Sequence, residues 1–307
     1  MLVPDRMFGL PPSWRRSPFA ALIARRLILT NPSPMPQSCL ASALSYLASP
    51  LRCGGPASHR LTGASVSVAR GLGSDPSILA VLVSIVIPVY RDSEALARTL
   101  KTLEASSTQV VVVATADDAG ALAHVRTAHP EIVWLEAPRG RAVQMNAGAA
   151  VARGRWLLFL HADTRLPPGW RQAIEAADRN PQFNAGCFRF ALDSTALAAR
   201  VIELGVWMRV RVLALPYGDQ GLFVRREAFE ALHGYADLPI MEDVDLVRRL
   251  RSRGRLFRSP LPVVTSARRW ERDGWISRTA RHLVLIVLYF CGVTPRRLMR
   301  LDRARHL

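Results

Sequence analysis

Lysine is almost absent from this 307-residue chain: Lys101 stands alone, and the other 40 of its 41 basic residues are arginine. A GC-rich coding sequence produces such a bias, so arginine alone says little about function. Cysteine is scarce as well. Cys39, Cys53, Cys187 and Cys291 include no C-x-x-C pair, which argues against a disulfide framework or a zinc site and for a reducing cytoplasm. Zinc-finger spacing, RNA-binding aromatic signatures and helix-turn-helix patterns are missing, so nucleic acid is a poor partner for the positive charge. No apolar run reaches the ~20 residues that cross a bilayer. No clean apolar segment leads to a secretory cleavage site, and there is no internal repeat. Acid is short in one region above all: residues 1–80 hold 8 Arg and 2 Asp.

What is present is a chain that is half hydrophobic, enough for a sizeable core, with a formal net charge of +17. That charge suits anionic partners such as nucleoside diphosphates or acidic lipids. Residues 1–80 are rich in Pro, Ser, Gly and Arg. They read as a disordered extension, a transit-like segment or the product of a mis-assigned start. Residues 81–301 read as a single domain, and 302–307 as a basic tail.

Hydrophobic periodicity predicts alternating elements. Strands are expected at 78–89, 110–113, 132–135 and 156–160, with helices at 92–105, 119–128 and 141–153 between them. Asp92 is placed as an N-cap. The second half is less regular: strands at 184–192, 221–224 and 261–265, and helices at 195–213, through Leu232, at 243–253 and at 275–290. Strands alternating with helices predict an α/β fold, a Rossmann-like, mostly parallel sheet flanked by helices.

Five constellations carry chemistry. His161-Ala162-Asp163 closes a buried strand, with Thr164 and Arg165 expected to leave the sheet, and an Asp there suits Mg2+ or Mn2+ bound to a diphosphate. A helix cap before Pro167-Pro168 is the bland alternative. Arg139-Gly140-Arg141 opens an Ala-rich helix whose free N–H groups favour anions, and Gln144 and Asn146 on it could reach a sugar or base. Glu242-Asp243-Val244-Asp245 sits at a helix start, where a carboxylate is stabilised and can accept a proton; simple capping competes, and Asp245 reads as structural. Arg268-Arg269-Trp270, expected on a mobile loop over 268–274 that could close on the donor, offers cations for a departing diphosphate and a ring for stacking. Leu283–Val293, flanked by arginines, fits either core packing or a helix lying in an anionic membrane surface.

Together these residues resemble the family 2 glycosyltransferases of GT-A fold, in particular a bacterial branch whose metal motif reads His-Ala-Asp. The likeness runs from about Ser84 to Leu301. It is carried by Ser84–Tyr90, Gly140–Gly148, Phe159–Pro167, Gly218–Gly221, Met241–Asp245 and Arg268–Trp270.

The resemblance implies an inverting transfer of one sugar from a nucleoside-diphosphate sugar to a hydroxyl acceptor. Residues 81–165 would form the nucleotide-binding half and 166–301 the acceptor half. Pro88, Val89, Tyr90, Asp92, Asp117, Arg141, Asn146, Ala162, Asp163, Arg269 and Trp270 would contact the donor. Gly218, Asp219 and Gln220 would line the donor and acceptor cleft. Asp163, with His161 as a second candidate, would hold Mn2+ or Mg2+. Asp243 would be the base, and Glu242 an acceptor contact or the alternative base.

Ser266 replaces the Gln of processive relatives, which argues for single transfer. A UDP-sugar is the first donor implied, but Ala114–Asp118 replaces the usual Asp-Gly turn that reads uracil, so the base stays open. A lipid acceptor and peripheral contact at the inner face of the cell membrane are compatible expectations for a cytoplasmic enzyme. The alternatives are a nucleotidyltransferase, whose glycine-rich loop is missing after Val89, or a degenerate nucleotide-sugar-binding protein.

Overall fold

The computed structural model describes residues 82–103 and 108–303. The expected N-terminal extension, Cys39, Cys53 and the last tail residues lie outside them.

The first half is built from short, mostly apolar strands joined by helices. β1 (Val83–Pro88), β2 (Gln109–Ala114), β3 (Val133–Glu136) and β4 (Trp156–Phe159) alternate with α1 (Ser93–Leu100), α2 (Ala119–Ala128) and α3 (Arg141–Val151). β1 pairs in parallel with β2 and with β4, and β2 with β3. Strands covered by helices on both faces must be apolar throughout; Val86, Val112, Trp156 and Leu158 are accordingly all buried.

The second half adds β5 (Thr164–Arg165), α4 (Trp170–Asp178), β6 (Phe183–Leu192), α5 (Leu197–Leu213), β7 (Leu222–Arg225) and α6 (Arg226–Ala231). Then come α7 (Glu242–Arg251), β8 (Arg255–Thr265), α8 (Arg268–Asp273), α9 (Trp275–Phe290) and α10 (Pro295–Arg303). All strands join one eight-stranded sheet in the order β3-β2-β1-β4-β7-β6-β8-β5. The mostly parallel character expected of the sheet holds, four of its seven strand pairings being parallel. β4–β7, β6–β7 and β5–β8 are antiparallel, while β6–β8 is parallel.

Two close approaches fix the helices to the sheet. A Cβ on Gly148 of α3 would lie 2.4 Å from Val86 Cγ1 and 2.9 Å from Val113 Cγ2, so glycine lets α3 lie directly on β1 and β2. A Cβ on Gly154 would meet the Ser84 backbone nitrogen at 2.4 Å. The chain runs outward from β1 to β2 and β3, then returns to place β4 on the other side of β1. Such a reversal opens a crevice at the carboxyl ends of the two central strands, the usual ligand position in open α/β sheets.

Three local expectations are corrected. Thr164 and Arg165 do not leave the sheet; they pair with Thr265 and Val264 of β8. Asp92 stands before α1 but makes no side-chain cap; its carboxylate binds Arg268 instead. The segment expected as a mobile loop at 268–274 is mostly helix α8.

Candidate active site

The loops leaving β1 and β4 meet the starts of α3, α7 and α8 above the crevice. A cleft of about 330 Å³ is lined there by Arg141, His161, Asp163, Asp219, Asp243 and Arg269, among others. Beside it a second hollow of about 320 Å³ is lined by Tyr90, Arg91, Asp92, Arg268, Arg269 and Arg272. Arg269 borders both.

Asp243 is fixed by two backbone donors. Gly218 N–H donates to Oδ2 at 2.7 Å and Val244 N–H to Oδ1 at 2.8 Å. A carboxylate accepts about four hydrogen bonds, so acceptor capacity is left on this one. Gly218 must be glycine-small: a Cβ there would lie 3.1 Å from His161 Nε2 and 3.4 Å from Asp243 Oδ2.

Arg141, at the first turn of α3, donates to Glu242 Oε1 at 3.3 Å. Burial weakens its protonated form. Glu242, Asp243, Asp219 and Asp163 more than offset that, and the net shift of its pKa is upward. Glu242 is buried and its pKa is raised by that burial, against the pull of Arg141.

Burial also lowers the His161 pKa to about 3, with Arg141 and Arg269 adding to the effect, so the imidazole is neutral near pH 7. Its Nε2 is buried without a hydrogen-bond partner. Asp219 is pushed up to about 6, first by burial and then by Asp243 and Asp163, against Arg209. Its Oδ1 is likewise buried and unpartnered.

Asp163 faces the arginines of α8. Its Oδ2 lies 3.6 Å from Arg268 Nη2 and 3.8 Å from Arg269 Nη2. Arg268 also pairs with Asp92, and Arg269 approaches it at 4.0 Å. The two arginines thus bridge the β1 and β4 loops. Ser266 N–H donates to Asp163 O at 3.1 Å, which ties the motif to the end of β8.

Several residues expected at the ligand also carry hydrogen bonds of the fold. Asn146 donates to Tyr235 O at 2.8 Å and accepts from Tyr235 N–H at 2.9 Å, which pins the loop before α7. Gln144 spans the ends of β1 and β2, donating to Val89 O and Val113 O. Gln220 donates to Phe188 O and accepts from Arg209 and the Tyr217 N–H. The Ala162 carbonyl accepts from Thr99 at 2.7 Å.

Trp270 is buried against Phe190, with Arg278 over its ring, yet one edge reaches the cleft. Pro88 ends β1, and the N–H of the next residue, Val89, donates to Val113 O. Tyr90 stands beyond them with the Arg139 guanidinium 4.3 Å over its ring. Asp117 is exposed on a short 3-10 turn, whereas Asp118 is buried and accepts from the Arg91 N–H.

Residues that sequence reasoning missed include Tyr217, Arg209 and the α9 residues Arg278, His282 and Ile286. Arg209 lies 3.3 Å over the Tyr217 ring, and the others line the cleft. None sits in a recognisable motif.

Mg2+ and Mn2+ need hard oxygen or imidazole donors. No group of three or more His, Cys, Asp or Glu side chains able to cage a metal exists among the described residues. These ions are often held by one or two carboxylates together with substrate phosphates. Asp163 and the unpartnered, neutral His161 fit that incomplete set.

Residues 84–230 match the model of Glycosyl transferase family 2, just under half of the chain. The architecture is a mixed α/β, Rossmann-like sheet flanked by helices. Among solved structures, S. aureus TarS 1-349 in complex with UDP-GlcNAc is similar at 12% identity and TM-score 0.47, covering 60% of this chain and 58% of that one. A second structure of S. aureus TarS 1-349 aligns at 11% identity and TM-score 0.48, covering 71% and 68%. This chain therefore spans little more than half of the first of these relatives. No curated protein sequence matches it.

Proposed function

We propose that this protein is an inverting glycosyltransferase that moves a single sugar from a nucleoside-diphosphate sugar to a hydroxyl acceptor. One observation supports the reading above the rest. Asp163, Asp243, Arg141 and Arg269, from four separate segments, converge on one cleft at the carboxyl ends of the central strands. The family likeness over residues 84–230 points the same way.

Asp243 is the base. Its two backbone donors hold the carboxylate still, and its remaining lone pairs take the acceptor proton as the oxygen attacks the anomeric carbon. One base and one displacement give inversion. Arg141 and Arg269 stabilise the diphosphate as it leaves, and Arg268 orients Asp163 and Asp92. Mg2+ or Mn2+, held by Asp163 with His161 beside it, would neutralise the diphosphate charge. Tyr90, with Arg139 over it, borders the base. A UDP-sugar is the first donor to try. Asp219 and Gly218 line the acceptor side, and Glu242 is held by Arg141 as an acceptor contact.

Asp243→Asn should lower transfer by about 100-fold or more while donor affinity persists. Transfer near the wild-type rate would remove Asp243 from the base role.

A further inference from the structure

Among the described residues eleven large apolar side chains are exposed, and nine of them lie on α5 and α9. Chance scatter would spread them over the surface. On α5, Leu197, Val201, Leu204 and Val212 follow helical spacing along one face, with Trp207 at its edge. On α9, Ile276, Leu283, Val284 and Val287 do the same. The two helices pack on each other.

The charge around this face is mostly positive, and the acids at its ends, Asp273 and Asp302, are paired with Arg278 and Arg281 of α9. The single acid of α5, Glu203, is buried and bonded to Arg200 and the Leu192 N–H. α9 has no acid. Arg211 of α5 and Arg296, Arg297 and Arg300 of α10 are exposed. No helix among the described residues is long and apolar enough to cross a membrane.

We propose that the α5–α9 face docks on an anionic membrane surface. Apolar side chains including a tryptophan, edged by arginine, match the chemistry of a lipid interface. Charge decides against the other occupants. A second copy would bring the same arginines face to face with these. Residues 1–80, with 8 Arg and 2 Asp, carry the same sign. The inner side of α9, at Leu285 and Ile286, lines the catalytic cleft, so docking sets the cleft beside the lipid headgroups. The proposal does not depend on the transferase reading, because its test reads lipid binding alone.

The full chain is to be sedimented with vesicles of neutral phosphatidylcholine and with vesicles also containing anionic phosphatidylglycerol. The same is done for the double variant Trp207→Gln, Val284→Gln, whose substituted side chains are exposed and outside the cleft. Circular dichroism melts confirm that the variant folds. Wild type should favour anionic vesicles, and salt should weaken that preference. The variant should bind about tenfold or more weakly. Wild type left in the supernatant would overturn the proposal, and so would a folded variant that binds as tightly as wild type. A wild-type dimer by sedimentation, without vesicle binding, would also overturn it and assign the face to self-association.

Discussion

At the scale of single residues, the site separates side chains that await a ligand from those already used by the fold. Asp163 and Asn146 show the contrast. Both stand in polar motifs, and both were expected at the donor. Asn146 spends both ends of its amide on Tyr235. Asn146→Ala should therefore cost about 1–3 kcal/mol of stability, since buried backbone groups lose their partner, and leave donor affinity unchanged. A lowered thermal midpoint with an unaltered donor Kd checks this; a large loss of affinity in a stable variant would return Asn146 to the ligand. The Asp163 carboxylate faces the arginines of α8, at 3.6 and 3.8 Å. Asp163→Ala should weaken manganese-dependent donor binding by about tenfold or more, and equal affinity with and without the carboxylate would end its metal role. Sequence could not separate these cases, because polarity and spacing show that a side chain can bond but not to what. Asp92 is the same lesson in reverse: an apparent helix cap is the partner of an arginine 176 positions away.

At the scale of elements, most of the first half was legible. Apolar Val-Ile runs bounded by turn residues locate β1 to β4 within a few residues, because buried parallel strands have no polar face to obscure the pattern. α4 went unseen, although Trp170, Ile174 and Ala177 form its buried face. It follows Pro167-Pro168, which reads as a turn and masks the short helix behind it. β8 is longer than expected because its first half, from Arg255, carries arginine and proline that look unlike a strand. The packing of α3 on the sheet rests on Gly148. Gly148→Ala would set a Cβ against Val86 and Val113, and overpacking of that kind costs about 1–3 kcal/mol. Denaturant unfolding should show a lower midpoint. No change would mean that the helix shifts outward freely.

At the scale of the whole molecule, a cleft crowded with carboxylates and arginines makes stability depend on pH. Asp219 is raised to about 6 from an ordinary 3.8. Between those values the folded chain keeps a proton that the unfolded chain has lost, so this group's contribution to stability falls as pH rises from about 4 to about 6. His161 runs the other way. Its pKa is depressed to about 3, so burying it costs stability as pH falls below the ordinary value near 6.5. The two slopes oppose each other across the same window, which mutes the wild-type profile. Asp219→Asn should remove one of them. With chelator present, the variant should be the more stable protein above pH 7, by up to roughly 3 kcal/mol, and the gain should vanish near pH 4. A difference independent of pH would contradict the burial of that carboxylate.

The central claim, sugar transfer from a nucleoside diphosphate, is tested most directly by nucleoside-diphosphate release. The full chain is incubated with a panel of nucleotide sugars, UDP-sugars first, with and without manganese, beside Asp243→Asn. Metal-dependent release from one donor, lost in the variant, is the expected result. Release that is undiminished by Asp243→Asn, or a chain that binds none of the donors, would contradict the claim.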